Sequence, residues 1–210
     1  MLILRFKKGQ GLGNQLWNYV VIRSISDLHN YKFKILNFSN FKGKNFLDLQ
    51  RENTNEVFDE SLFNLYKEKL VFDNELKCFV NLFDRNVLEI KDNTILDGTL
   101  QSEEYLKPRI DIINNYINFK AYKKNNKISS DTCILNLRGG EYKLHRDLIL
   151  PKSYWINAIK NMKTFNANLI FKIVTDDYNY AAHLLPQYEI IKGDLKDDFL
   201  NLYAAKYVIL

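Results

Sequence analysis

The apolar positions of this chain recur at two periods, and the switches between them lay out strands and helices in turn. Leu2 to Phe6 is a short apolar run and predicts a buried strand. Leu16, Trp17, Val20, Val21, Ser24, Ile25 and Leu28 then fall at helical spacing, which predicts an amphipathic helix over 14–29. Lys32 to Asn37 alternates and predicts a second strand. Residues 38–93 mix Asn, Lys, Asp and Phe with short periodic pieces, and short helices and loops are expected there. Thr94 to Leu96 predicts a strand, and a helix is expected from Pro108 to Phe119, with the proline tolerated in its first turn.

Lys123 to Asp131 is polar and lacks any core periodicity, so it predicts a linker between a first domain, 1–122, and a second, 132–210. Beyond it the pattern is regular. Strands are expected at Thr132–Leu137, Leu169–Val174, Glu189–Ile191 and Tyr207–Leu210, with helices at Pro151–Met162, Asp177–Leu184 and Asp197–Ala205 between them. Strand and helix alternating at short spacing argue for an α/β fold with parallel sheets covered by helices. Ligands of such sheets bind beyond the carboxyl ends of the strands. The chain stops on a predicted strand, so either that strand closes the sheet or the sequence is a piece of a longer one.

Composition narrows the classes. Of 210 residues, 46% are hydrophobic and the net charge is only +5, so the chain has the means to bury a core and does not read as disordered. The mild basic bias suits phosphates or an acidic membrane face, but no basic block with interleaved aromatics argues for nucleic acid. Cys78 and Cys133 lie in apolar contexts without metal spacing, which points to buried thiols in a reducing compartment. No signal-like segment opens the chain, and no apolar run approaches the roughly 20 residues of a membrane span. The expected place is the cytoplasm, free or held peripherally at the inner membrane face.

Two strand ends carry candidate chemistry. After the first strand come Gly9, Gly11 and Gly13, then Asn14 and Gln15 at the start of a helix. The glycines let the backbone approach a ligand, and a helix start with free N–H groups suits a phosphate. A plain strand-to-helix turn is the alternative, since no Gly-Lys-Ser/Thr follows. In the second domain, Ile134-Leu135-Asn136-Leu137 delivers Arg138, Gly139, Gly140, Glu141 and Tyr142 to a strand end. The arginine fork matches phosphate oxygens. Glu141 serves either as general base or as the partner that holds Arg138. A third strand ends in Thr175, Asp176 and Asp177, which accept hydrogen bonds from a nucleoside or cap the following helix, with Thr175 or Asp176 the expected cap. Adjacent Asp176 and Asp177 lack a third carboxylate at metal-binding spacing, so no metal is expected. His145 and Arg146 follow the arginine segment and are candidates for contact with an acceptor or with phosphates. His183 and the aromatics Tyr154, Trp155 and Phe165 read as structural, and Lys192 to Asp198 as a solvated turn with a helix cap.

The stretch Gly11-Leu12-Gly13-Asn14-Gln15-Leu16-Trp17 resembles the N-terminal motif of the alpha-1,2-fucosyltransferases, glycosyltransferase family 11, commonly GGLGNQLFQY. Three further segments resemble that family in the same order. Leu100 to Leu106 is similar to its GYWQSEKYF segment, Asn136 to Tyr142 to its HxRRGDY motif, and Val174 to Asp177 to its FSDD segment. In the second of these Arg138, Gly140 and Tyr142 match, Glu141 replaces Asp, Asn136 replaces His and Gly139 replaces the second Arg.

The resemblance implies a GT-B-like architecture, two Rossmann-like halves with the donor between them. It implies inverting transfer of fucose from GDP-fucose to a galactose 2-hydroxyl in surface glycans such as lipopolysaccharide, without cofactor or essential metal. Arg138 and Glu141 then become the catalytic candidates. Gly11, Gly13, Asn14, Gln15, Asn136, Arg138, Gly140, Tyr142, Thr175, Asp176 and Asp177 become the donor-binding candidates, and the partners are a nucleotide sugar and a glycan acceptor. Asn136 and Gly139 leave open a different nucleotide sugar, and the lost second Arg with the missing C-terminal segment leaves open a non-catalytic nucleotide-sugar or glycan-binding protein on the same scaffold. The family continues into a segment like NSSFSWW, so the second half is expected to be incomplete.

Overall fold

The computed structural model describes residues 1–50, 59–75, 78–119, 128–144 and 148–210, with the backbone alone at 78 and 79. It divides into two compact units, Met1–Tyr122 and Lys123–Leu210. Each holds a four-stranded parallel sheet.

In the first unit, β1 (Leu2–Arg5) pairs on one side with β2 (Phe33–Leu36) and on the other with β7 (Thr94–Asp97), and β7 pairs with β4 (Asn64–Lys67). The sheet order is therefore β2-β1-β7-β4. Leu2, Ile3 and Leu4 are buried because β1 lies inside the sheet, as their unbroken apolar run requires. The turn after β1 contains Gly9 at φ 83°, a left-handed conformation suited to glycine. Helix α1 (Leu12–His29) follows and ends on Asn30 in the left-handed region, the usual way to close a helix.

Helix α1 buries more than one stripe. Leu16, Tyr19, Ile22 and Ile25 are buried, and so are the polar Gln15, Asn18, Ser24 and Ser26. Two of the polar residues, with the neighbouring Trp17, meet the chain that crosses the helix: Trp17 Nε1 donates to Leu100 O, Asn18 Nδ2 to Gly98 O and Ser24 Oγ to Tyr105 O. Backbone carbonyls brought against a helix must find donors, and these side chains supply them.

Two expectations fail in this unit. Residues 108–119 are not one helix but short 3-10 turns at Lys107–Arg109 and Ile113–Asn115, followed by strand β8 (Ile117–Phe119). β-Branched Ile110, Ile112, Ile113 and Ile117 and the pair Asn114-Asn115 are weak helix formers. Pairing of β8 with β3 (Leu47–Leu49) then decides the conformation. Residues 38–93 are not only short helices and loops, because they also hold β3, β4, β5 (Leu70–Asp73) and β6 (Cys78–Asn81), the last two an antiparallel ribbon.

The second unit follows the pattern read from sequence more closely. Strands β9 (Thr132–Leu137), β10 (Ile170–Thr175), β11 (Glu189–Ile190) and β12 (Tyr207–Ile209) form a sheet of order β11-β10-β9-β12. Helices α2 (Lys152–Phe165), α3 (Tyr178–Leu184) and α4 (Leu195–Ala204) connect them. Central β9 is buried on both faces. Its Cys133, Leu135 and Leu137 pack with Trp155 and Ile159 of α2 and with Phe171 and Ile173 of β10. Burial raises the Cys133 thiol to about 11, which makes it inert. Among the described residues no helix is long and apolar enough to cross a membrane.

Candidate functional site

The carboxyl ends of β9 and β10 lie side by side, because the two strands are paired in register from Thr132↔Ile170 to Leu137↔Thr175. That register sets Arg138, Gly139 and Gly140 against Asp176 and Asp177. Arg138 Nε lies 3.0 Å from Asp176 Oδ2. Asp176 Oδ1 accepts from Gly139 N at 2.8 Å and from Gly140 N at 3.2 Å. One carboxylate thus fixes both the arginine and the turn that follows it. The Arg138 guanidinium also stands 5.4 Å from the centre of the Tyr142 ring, within cation–π range. An Nε contact occupies one of five N–H donors of the fork.

Asp177 has a different role. Its Oδ1 accepts from Tyr180 N at 3.0 Å, so it is the N-cap of α3, in place of the expected Thr175 or Asp176. Thr175 Oγ1 accepts from Asp177 N and holds the cap in place. The other Asp177 oxygen pairs with Lys143 Nζ. That hydrogen bond, with the Tyr180 N–H, holds its carboxyl below the usual carboxylate range. Thr175 and Asp177 are therefore spent on local structure. Asp176 is spent on Arg138 and the turn, which leaves Arg138 as the group of this cluster suited to an anion.

The glycines here are required by packing. A β-carbon at Gly139 would lie 2.7 Å from Asp177 Cβ and 2.8 Å from the Tyr180 ring, and one at Gly140 would lie 2.9 Å from Asp176 Oδ2. The position where the related motif carries its second arginine has no room for a side chain in this arrangement.

Beside Arg138 opens a cavity of about 140 Å³, lined by Asn136, Arg138 and Tyr142 together with Leu150, Trp155 and Tyr180. Whole small-molecule sites run to roughly 300–1,000 Å³, so this cavity has room for one ring and the rest of a larger ligand lies outside it. Glu141 sits on the exposed 3-10 turn Glu141–Leu144 just beyond. His145 and Arg146 lie outside the described residues.

One group was not picked out in the sequence. Asp198, in the first turn of α4, reads as part of a solvated charge run. That run does cap the helix, through a reciprocal box between Asp194 and Asp197. Asp198 itself points inward, and its Oδ1 is buried with no hydrogen-bond partner among the described residues. Burial pushes its carboxyl up to about 6, Asp197, Asp194 and Asp176 push in the same direction, and Arg138 opposes. Asp198 does not line the cavity beside Arg138, and its unfilled oxygen together with its coupling to Arg138 makes it a candidate for the site. The sequence signal for it was the third carboxylate in Asp194-Leu-Lys-Asp197-Asp198, one more than a capping box needs.

In the first unit the glycine loop is built otherwise. Gly11 is the N-cap of α1 with extended backbone and no side-chain bond, and no acidic residue occupies the first turn. A β-carbon at Gly11 or Gly13 would meet nothing within 4 Å. Asn14 is exposed, and its Oδ1 accepts from Gln101 Nε2 at 2.8 Å, so the first and second motif segments touch. Gln15, expected at the donor, is fully buried: Nε2 donates to Asn40 O at 2.9 Å and Oε1 accepts from Lys42 N at 2.9 Å. Its amide ties α1 to the chain after β2 and has no free end for a ligand. Among the described residues no group of three or more His, Cys, Asp or Glu side chains is placed to hold a metal.

No protein-family model and no curated protein matches the chain. Solved structures do. The fucosyltransferase NodZ from Bradyrhizobium aligns over all of this chain and 88% of its own, at 15% identity and a TM-score of 0.52. The NodZ alpha-1,6-fucosyltransferase co-crystallised with GDP aligns over 99% of this chain and 86% of its own, at 12% identity and a TM-score of 0.54. At such identity the likeness establishes the fold: α/β, GT-B-like and shared with fucosyltransferases.

Proposed function

We propose that the chain is a glycosyltransferase that moves fucose from GDP-fucose to the 2-hydroxyl of a galactoside in surface-glycan synthesis. The observation that carries this reading is the end of β9. There Arg138, braced by Asp176, stands at a ring-sized cavity with the unfilled Asp198 oxygen within electrostatic reach. A diphosphate suits the arginine. The adjacent N–H donors of a guanine edge suit a buried carboxylate that lacks a partner, since leaving such an acceptor unfilled is costly.

In the reaction, the acceptor hydroxyl attacks the anomeric carbon of the sugar as the bond from that carbon to the β-phosphate oxygen breaks. GDP leaves with the electron pair, the anomeric configuration inverts, and the hydroxyl proton passes to a carboxylate. Glu141 is the candidate by its motif position. Arg138 meets the charge that gathers on the leaving phosphate. Support for the donor comes from the shared fold and from the four motif segments. The 2-hydroxyl linkage rests on the motif resemblance alone, since the solved neighbour is named an alpha-1,6 enzyme. Cytoplasmic localisation and the absence of a cofactor are part of the same proposal.

A second reading, transfer from another nucleotide sugar, is favoured by Gly139, where packing excludes the arginine that the motif carries. A panel of GDP-fucose, GDP-mannose and UDP-sugars separates the two. Release of GDP from GDP-fucose, with linkage analysis of the product, supports the first reading, and turnover of a UDP-sugar alone overturns it.

A further inference from the structure

The segment Gly98 to Gln101, after β7, is held from two sides. Helix α1 presents Asn14, Trp17 and Asn18 at one-turn spacing, and each bonds to it: Asn14 to Gln101, Trp17 to Leu100 O, and Asn18 to Gly98 O at 3.0 Å. From the other side comes Glu68, the residue after edge strand β4. Its Oε2 accepts from Thr99 N at 2.8 Å and Leu100 N at 3.0 Å. The fit leaves no slack, because a β-carbon on Gly98 would lie 2.5 Å from Glu68 Cβ.

Between the two clamps Leu100 is fully buried at φ 52°. A bulky side chain in the left-handed region is uncommon and persists only where its neighbours over-determine it. The effect of that backbone shape is local: it turns Gln101 out to solvent, where its amide meets Asn14. The pair lies beyond the carboxyl ends of β1 and β7, the side of an open parallel sheet where ligands bind. Each amide keeps donors and acceptors after the one bond they share, the mixed set that matches sugar hydroxyls. Glu68 Oε1 and Asn18 Oδ1, the latter on a residue only 3% exposed, are buried beside the segment without partners among the described residues.

We propose that Glu68 is a positioning residue, and that the Asn14–Gln101 pair it presents is a hydroxyl-binding subsite for a glycan on the first unit. The ligand class rests on the glycosyltransferase reading above. The test is a lactose titration of the full chain, followed through the side-chain amide signals of Asn14 and Gln101 in nuclear magnetic resonance spectra. GDP titrations are run on the same samples.

In the wild type both amides are expected to shift with lactose. Glu68→Gln, which keeps an acceptor oxygen, retains the response. Glu68→Ala and exposed Gln101→Ala each weaken it by about tenfold or more, a readily resolved change. The double variant is no weaker than either single one, because the two act through one another. Should Glu68→Ala fail to fold, Gln101→Ala carries the test alone. A wild type that ignores lactose overturns the subsite. So does a Glu68→Ala chain that melts earlier yet binds lactose normally. GDP binding without a lactose response overturns this inference and spares the donor reading. A lactose response without GDP binding supports the subsite and counts against GDP as donor product.

Discussion

Each unit places glycines between a buried strand and the elements that follow, and the two sets are there for opposite reasons. After β9, Gly139 and Gly140 are wedged against Asp177, Tyr180 and Asp176, and any side chain would strike them. After β1, Gly11 and Gly13 face open space, and Gly13 is already helical. In the second unit the turn is cross-linked by carboxylates, so its glycines are a packing requirement, and Arg138 is the group proposed to face a ligand. In the first unit no described residue comes close enough to Gly13 to ask for glycine there. That a ligand comes close at this loop is part of the proposal, and the alanine variant tests it. The same letter in the same kind of motif is thus a packing requirement in one place and not in the other.

Substitution by alanine separates the two sets. Gly139→Ala drives a methyl group into Asp177 and Tyr180, and such overpacking costs about 1–3 kcal/mol, read as a lower melting temperature. A change within error would mean that the turn relaxes freely, and the packing half of the comparison would fail. Gly13→Ala should act in the opposite direction. Alanine is the better helix former by about 0.5–1 kcal/mol, so the chain is expected to melt slightly higher while losing nucleotide affinity. Higher melting with unchanged GDP binding would remove the loop from the donor site.

A pH-dependent effect concerns Asp198. A carboxyl raised to about 6 in the folded chain is harder to ionise there than in the unfolded chain, where its value is roughly 3.9. The stability associated with its protonated form is present below that unfolded value and is lost as pH rises toward 6. Asp198→Asn removes this dependence, so the variant should gain on the wild type in melting temperature between about pH 4 and pH 7. Parallel curves across that window would show that Asp198 is not held in a perturbed site.

Much of the frame was legible in the sequence. The β1–loop–α1 unit and the alternating second half follow from the unbroken apolar runs of central strands and the helical spacing between them. The strands within 38–93 were not legible, because β4 and β5 are largely exposed and carry no alternation to betray them. The expected helix at 108–119 does not form, and its last residues, Ile117–Phe119, are drawn into pairing with distant β3, which no local pattern gives. Arg138 was singled out because a strand end delivers it, and its pairing with Asp176 follows from the β9–β10 register. Gln15 was misassigned because its partners at Asn40 and Lys42 come from a turn whose position no local pattern gives. Asp198 and Glu68 were missed for a related reason: a carboxylate in a polar run declares its charge, and its burial is decided only when other elements close over it.

Arg138 is the proposed anchor of the nucleotide, and calorimetric titration of GDP into the wild type and Arg138→Ala tests this most directly. The expected result is clear binding by the wild type and a loss of about 1.5–3 kcal/mol in the variant, the range for hydrogen bonds to a charged group. Equal affinity in the two chains, or a wild type that does not bind GDP, would contradict it.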